Sequence, residues 1–307
     1  MMFNKADSQT LRLNEENERQ ARDARQEKTL EDIRVTTAET IRDGLDIVAR
    51  TREAEVIDIP SPAGPIPVFV YTPQDVRGVY LHIHGGGWFT GSHLELLDML
   101  IARARRVNVA IASVGYRLAP EHPYPAAPDD CETAALWLIE NATSRFGTRR
   151  IVIGGDSAGA NLTAVTLTRL RDKHGYTEAC GALLISGWYD LRLTPSARDW
   201  EGRHLGYTLD LLKKAIRWYV PDGELTNPDV SPLFLSLDKM PPALFMVGSD
   251  DGLLDDTLFF EARWRIAAND TELLVIPGGS HFFHITDTPD GELAQAAVNS
   301  FLSRAVS

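Results

Sequence analysis

The stretch RIVIGGDSAGANL, residues 150–162, sets a serine at a sharp corner. A β-branched run ends in Gly154 and Gly155, and Asp156, Ser157, Ala158 and Gly159 lead into a polar stretch with helical character. Gly-x-Ser-x-Gly between a strand and a helix is the pattern of a nucleophile elbow. Glycines two residues to either side let the tight turn form without side-chain clashes, and the serine hydroxyl is left exposed at the helix N-terminus. Alone the pattern is weak, because at ordinary Gly and Ser usage a chain of this length contains it by chance about one time in ten. A second motif, HIHGGGW at residues 82–88, follows another predicted strand. It could be only a glycine-rich turn with a structural histidine, but successive glycines there can aim backbone N–H groups at a forming oxyanion. Both motifs together, each at a strand end, are far less expected by chance than either alone.

A serine hydroxyl is a poor nucleophile until a base takes its proton, and the base needs a carboxylate to fix its tautomer and stabilise the imidazolium. On a sheet with this elbow the chain order is Ser, then an acid, then His. After PPALFMVG comes SDDGLLDD at 249–256, and after ELLVIPGG comes SHFFH at 280–284. The order is satisfied, with Asp250 or Asp251 as the acid and His281 or His284 as the base. Asp255 and Asp256 read as first-turn helix acids that complement the dipole.

The combination of His84-Gly85-Gly86-Gly87-Trp88, YRLAPEHPYPA at 116–126 and Gly155-Asp156-Ser157-Ala158-Gly159 resembles the bacterial hormone-sensitive-lipase family of α/β-hydrolase carboxylesterases, from about residue 50 to the C-terminus. The resemblance implies an α/β-hydrolase fold with a helical cap, and oxyanion donors in the N–H groups of Gly86, Gly87 and Ala158. The family's Asp-Pro-Leu-x-Asp pattern begins here at Asp251, with Gly252 in place of the proline, which makes Asp251 the acid and Asp250 the alternative. The family places a Phe two residues after its histidine; Phe283 makes His281 the base and leaves His284 a structural role at the pocket rim. Ala160 stands where the family often has glycine, and Gly187 in SGWYDL where it often has proline. None of these departures removes a reacting group; they bear on the pocket and the cap.

The implied activity is hydrolysis of short-chain acyl esters through an acyl-enzyme intermediate, on a small-molecule substrate, with no cofactor and no metal. An amide, a lactone or an acetylated small molecule is an alternative substrate. A non-catalytic ligand-binding protein on the same fold is a different reading, against which Ser157, Asp251 and His281 are all of the reactive type. The resemblance favours a homodimer as the assembly.

The elements that must position these residues follow from periodicity. From about residue 53 onward the short runs AEVIDI, IPVFVY, VYLHIH, VAIASV, RIVIGG, ALLIS, ALFMVG and ELLVIP alternate with longer helical patterns. Such alternation predicts an α/β fold, a mostly parallel sheet of about eight strands with helices on both faces. PSPAGP at 60–65 reads as a hairpin-like turn, so the first edge is expected to be antiparallel. Residues 1–50 and about 190–230 are helical or loop-rich with no strand to serve, and a connection of that size is usually functional. Both are expected to pack as cap segments over a catalytic domain at 51–307.

The chain has 307 residues, 44% of them hydrophobic, and a net charge of −12. That length fits one large α/β domain or two ordinary ones, and the negative charge disfavours nucleic acid as a partner. Two cysteines, Cys131 and Cys180, have neither CxxC nor metal spacing and read as core thiols. The charged N-terminal stretch and the lack of a long apolar run argue against membrane insertion, and the expected location is cytoplasmic. His82 and His84 alternate on one strand face, but two ligands without a third make a poor metal site. His122 in the proline-rich loop reads as a brace. Of the aromatics near the motifs, Trp88 and Phe282 are expected to line the pocket, whereas Phe89, Trp188, Tyr189 and Phe283 are expected to pack in the core.

Overall fold

All eight apolar runs form strands of one sheet in the computed structural model, which describes residues 6–23 and 29–307. Two helices come first, α1 (Ser8–Asp23) and α2 (Leu30–Arg50), followed by β1 (Ala54–Ile59), β2 (Ile66–Tyr71) and β3 (Gly78–Ile83). Then come α3 (Leu97–Val107), β4 (Val109–Val114), α4 (Ala126–Phe146), β5 (Ile151–Asp156), α5 (Ala158–His174) and β6 (Gly181–Ile185). The short α6 (Pro195–Arg198) and α7 (Leu209–Tyr219) precede β7 (Ala243–Gly248), α8 (Leu254–Ile266), β8 (Thr271–Ile276) and α9 (Pro289–Ala305). The sheet order is β1-β2-β4-β3-β5-β6-β7-β8. β2 is antiparallel to both β1 and β4, and every other pairing is parallel.

The runs in β3, β4, β6 and β7 are apolar without alternation because both faces of those strands are covered, and every residue in them is buried. Successive residues still point to opposite faces. Ile153 and Phe245 pack with Leu138 of α4, Leu162 and Leu167 of α5, and Phe260 and Trp264 of α8. Val152 and Leu244, one position earlier, pack with Leu100 and Ile101 of α3 and Val298, Phe301 and Leu302 of α9. Helix α5 is buried continuously from Ala158 to Leu170, as expected of a helix enclosed on all sides. It is enclosed on its outer side by the 187–230 connection, since Asn161 Nδ2 donates to the carbonyls of Trp188 at 2.7 Å and Val230 at 3.0 Å.

The elements outside the alternating pattern are fastened to the sheet domain. Thr29 and Asp32 form a reciprocal capping box at the start of α2. Further along α2, Arg34 pairs with Glu121 and donates to the Ala119 carbonyl at 3.0 Å. Asn14 of α1 donates to the Gly278 carbonyl at 2.6 Å. Among the described residues no helix is long and apolar enough to cross a membrane. Cys131 is buried, as expected; Cys180, expected in the core, is only half-buried where the chain enters β6.

Asp255 and Asp256 both lie in the first turn of α8, as expected, and Asp256 is in addition fully buried there. Its Oδ1 accepts the N–H groups of Tyr189 at 2.7 Å and Asp190 at 2.8 Å, and its Oδ2 accepts the Thr194 hydroxyl at 2.6 Å. Burial pushes its pKa up to about 7 against these hydrogen bonds. Asp256 therefore ties the chain leaving β6 to α8. Asp256→Ala strands two buried N–H groups and a hydroxyl, and the unfolding free energy from urea denaturation should fall by about 3 kcal/mol or more.

Candidate active site

The serine corner exists because two stretches of backbone meet there. Ser157 has φ 54° and ψ −119°, a conformation that non-glycine residues rarely adopt, and its N–H donates to the Ile185 carbonyl at 2.8 Å. β5 lies between β3 and β6, with Ile83 opposite Gly155 and Asp156 opposite Ile185. A Cβ on Gly155 would sit 2.1 Å from the Ile83 carbonyl oxygen, and one on Gly159 would sit 2.0 Å from the same atom. Both flanking glycines are thus required by the end of β3.

The end of β3 carries the second motif. Gly86 and Gly87 have φ of +98° and +57°, and the Phe89 and Thr90 N–H groups close the turn onto the Gly86 carbonyl at 3.1 and 3.0 Å. Among the described residues no acceptor meets the N–H groups of Gly86, Gly87 or Ala158. His84 is stacked on Tyr116 with ring centroids 4.1 Å apart, and its Nδ1–H donates to the Gly85 carbonyl at 2.8 Å. Burial lowers its pKa to about 3, so it stays neutral and braces the loop. His82 contacts the Ser113 hydroxyl at 3.1 Å, with its Nε2 3.8 Å from Asp156. Among the described residues no group of three metal-binding side chains is assembled.

The loops after β7 and β8 bring an acid and a base together. Gly248 and Ile276 are partners at the strand ends, and the Asp250 N–H donates to the Gly279 carbonyl at 2.9 Å. His281 Nδ1 lies 2.9 Å from Asp251 Oδ2, with both residues buried. Asp250 points elsewhere and pairs with Arg203 at 2.9 Å. Burial pushes the Asp251 carboxyl up, but the charge and hydrogen bond of His281, the Leu253 N–H and the Tyr207 hydroxyl outweigh it and hold it below the usual 3.8. Burial likewise pushes His281 down, and the charge and hydrogen bond of Asp251, with the charge of Asp156, hold it above the usual 6.5.

Ser157 and His281 line one cavity of about 890 Å³ with Gly86, Gly87, Trp188 and Phe282. Its other walls come from Ala21 and Arg22 of α1, Ile33 of α2, and residues 201–215. Phe282 lines this cavity, and Trp88, expected beside it, does not. The Trp88 ring is fully buried and stacked flat on Tyr219, with centroids 4.4 Å apart and planes 3° from parallel. Its backbone has φ 65°, continuing the left-handed turn after Gly87. Trp188 and Phe89, expected only in the core, line the cavity instead. His284 is buried rather than at the rim, and its Nδ1 has no partner among the described residues. The His122 side chain is exposed, and the hydrogen bond that braces the loop is made by its N–H to the Leu118 carbonyl at 2.9 Å. Tyr207, which no motif marked, donates its hydroxyl to Asp251 Oδ1 at 2.7 Å.

Fold and site together define an α/β hydrolase, and the family model described as "alpha/beta hydrolase fold" matches residues 80–285. Carboxylic ester hydrolase LipN of Mycobacterium tuberculosis is 35% identical over 240 residues, 74% of this chain and 63% of that protein. The chain thus spans less than two thirds of the length of LipN. Carboxylesterase NlhH of Mycobacterium tuberculosis is 37% identical over 224 residues, 68% of each chain. A hormone-sensitive lipase from a metagenome library superposes with a TM-score of 0.82 at 25% identity, covering 99% of this chain and 100% of the other. The chain belongs to the hormone-sensitive-lipase type of α/β hydrolases.

The buried neutral histidines set an acid limit on the fold. Burial lowers His284 to about 4, so between the unfolded value of 6.5 and that pH the unfolded chain binds a proton that the native state does not. Stability is therefore lost as pH falls through that window. Urea midpoints measured from pH 7 to pH 4 should decline, and the decline should be shallower in His284→Gln.

Proposed function

We propose that the chain is a serine carboxylesterase whose triad is Ser157, His281 and Asp251. The observation that carries this reading is the 2.9 Å hydrogen bond between His281 Nδ1 and Asp251 Oδ2, in a couple that shares its cavity with Ser157. Binding Nδ1 to the carboxylate leaves Nε2 as the nitrogen that takes the Ser157 proton when the oxygen attacks an ester carbonyl. The N–H groups of Gly86, Gly87 and Ala158 receive the oxyanion. Each such donor is typically worth about 2.7–4 kcal/mol of barrier. Collapse transfers the proton from His281 to the departing alcohol and leaves an acyl ester on Ser157, which a water deprotonated by the same imidazole then hydrolyses. None of these steps calls for a metal or an organic cofactor.

The relatives named as ester hydrolases support an ester as the bond cleaved, and the resemblance favours short acyl chains. Residues 1–50, described at 6–23 and 29–50, and residues about 190–230 act as a two-part cap over the catalytic domain at 51–307. Ala21, Arg22, Ile33 and the 201–215 stretch in the cavity wall support that division.

Initial rates on p-nitrophenyl esters from acetate to palmitate should peak at short chains and fall by about 10⁶-fold in Ser157→Ala. Turnover that survives this substitution would remove Ser157 as the nucleophile. A base active in its neutral form loses activity as pH falls through its pKa, and His281 is held above 6.5. The acidic limb of kcat/KM should therefore have its midpoint above 6.5; a flat profile from about pH 5 to 9 would count against His281 as the base.

A further inference from the structure

The Asp251 carboxylate is gripped from two sides. Oδ2 faces His281 Nδ1, while Oδ1 accepts the Leu253 N–H at 3.0 Å and the Tyr207 hydroxyl at 2.7 Å. The Tyr207 ring also stands edge-on to the His281 ring, with centroids 4.9 Å apart and planes at 87°. Tyr207 therefore touches both members of the couple, although it arrives from the connection between α6 and α7.

Residue 252 makes room for it. A Cβ built on Gly252 would lie 2.9 Å from the Tyr207 hydroxyl oxygen and 3.1 Å from the Trp200 ring, closer than side-chain contacts normally come. The arriving segment is fixed at several points. Trp200 Nε1 donates to the Tyr207 carbonyl at 3.3 Å, and the Arg203 guanidinium lies 4.5 Å over the Trp200 ring. The same guanidinium pairs with Asp250 at 2.9 Å and with Glu18 of α1 at 3.1 Å.

We propose that Tyr207 is a positioning residue of the His281–Asp251 couple: the 200–207 segment seats its hydroxyl on the carboxylate oxygen that His281 does not use, through a gap that glycine at position 252 leaves open. The proposal rests on the triad reading above. Burial and then the charge of Asp251 hold the Tyr207 phenol far above its usual 10, so it remains a donor across the working pH range. A donor on Oδ1 draws part of the carboxylate charge away from the imidazolium. Without it the Leu253 N–H still holds the carboxylate in place, and the full charge acts on His281. Among the described residues, the other titratable and charged groups around the couple are Asp156 at the end of β5, His284 after β8, Asp256 in α8 toward Tyr207 and the Arg203–Asp250 pair, and Arg22, Glu201, His204, Asp210 and Lys213 line the cavity that His281 shares. All of them are retained when Tyr207 alone is changed.

The test is a titration of His281 by NMR of its imidazole protons in the full chain, wild type beside Tyr207→Phe, together with the pH profile of kcat/KM on a short p-nitrophenyl ester. The His281 midpoint and the acidic limb should both rise by about 0.5–1 pH unit, lowering kcat/KM below the limb by about three- to tenfold, with the curves converging at higher pH. Gly252→Ala keeps every hydrogen-bonding group but obstructs the seat, and should shift the midpoint in the same direction. A Tyr207→Phe midpoint equal to that of the wild type overturns the proposal whatever happens to kcat. A Gly252→Ala midpoint equal to wild type overturns the assignment of the seat. Failure of the esterase reading is distinguishable, because it is read from turnover and from Ser157→Ala, while the NMR midpoint decides Tyr207 even in a protein that cleaves no ester.

Discussion

The close approach between the end of β3 and the corner after β5 is the contact on which the rest of the site depends. The Ile83 carbonyl oxygen comes so near to positions 155 and 159 that neither tolerates a side chain. That proximity holds Ser157 at φ 54° and sets the glycine loop of 84–87 beside it. The hydrogen bond from the Ser157 N–H to Ile185 anchors the corner from the other neighbouring strand. A conformation that costs of order 1–3 kcal/mol is sustained because the parallel sheet over-determines it. The strain sits where the proposed nucleophile needs to project.

Around this contact the protein buries polar groups and satisfies them in couples. Asp256 takes up two N–H groups and a hydroxyl of the chain leaving β6, and Asp251 takes up His281, Leu253 and Tyr207. These carboxylates meet different environments. Burial outweighs the hydrogen bonds to Asp256 and raises it, while His281, the Leu253 N–H and the Tyr207 hydroxyl together outweigh the burial of Asp251 and lower it. Two acids five positions apart in one loop and helix start therefore have separate tasks: one fastens the framework and the other acts on the charge state of His281.

The segments outside the alternating pattern connect to the same polar groups. Arg203 links Glu18 of α1 to Asp250, one residue before Asp251, and Tyr207 reaches Asp251 itself. The cavity walls contributed by α1, α2 and residues 201–215 are thus mechanically continuous with the loop that carries the proposed acid. Substrate contacts on those walls and the geometry of the His281–Asp251 couple are consequently not independent.

The sequence by itself determined the eight strands and the order of the reacting groups, because both are written in short-range patterns. A run such as ALFMVG must be covered on both faces wherever it lies, and a glycine two residues either side of Ser157 belongs to one kind of turn. Resemblance to a family placed Asp251 ahead of Asp250 and His281 ahead of His284; in the structure His281 hydrogen-bonds to Asp251, while Asp250 pairs with Arg203. Tertiary structure alone decided which aromatic ring faces the cavity. Trp88 turns onto Tyr219, more than a hundred positions away in sequence, and Trp188 takes the wall instead. It alone revealed that Asp256 is a buried tie, that His284 is buried, and that the Tyr207 hydroxyl reaches Asp251. Each of these depends on a partner delivered by a distant segment, and no local period or spacing records such a meeting.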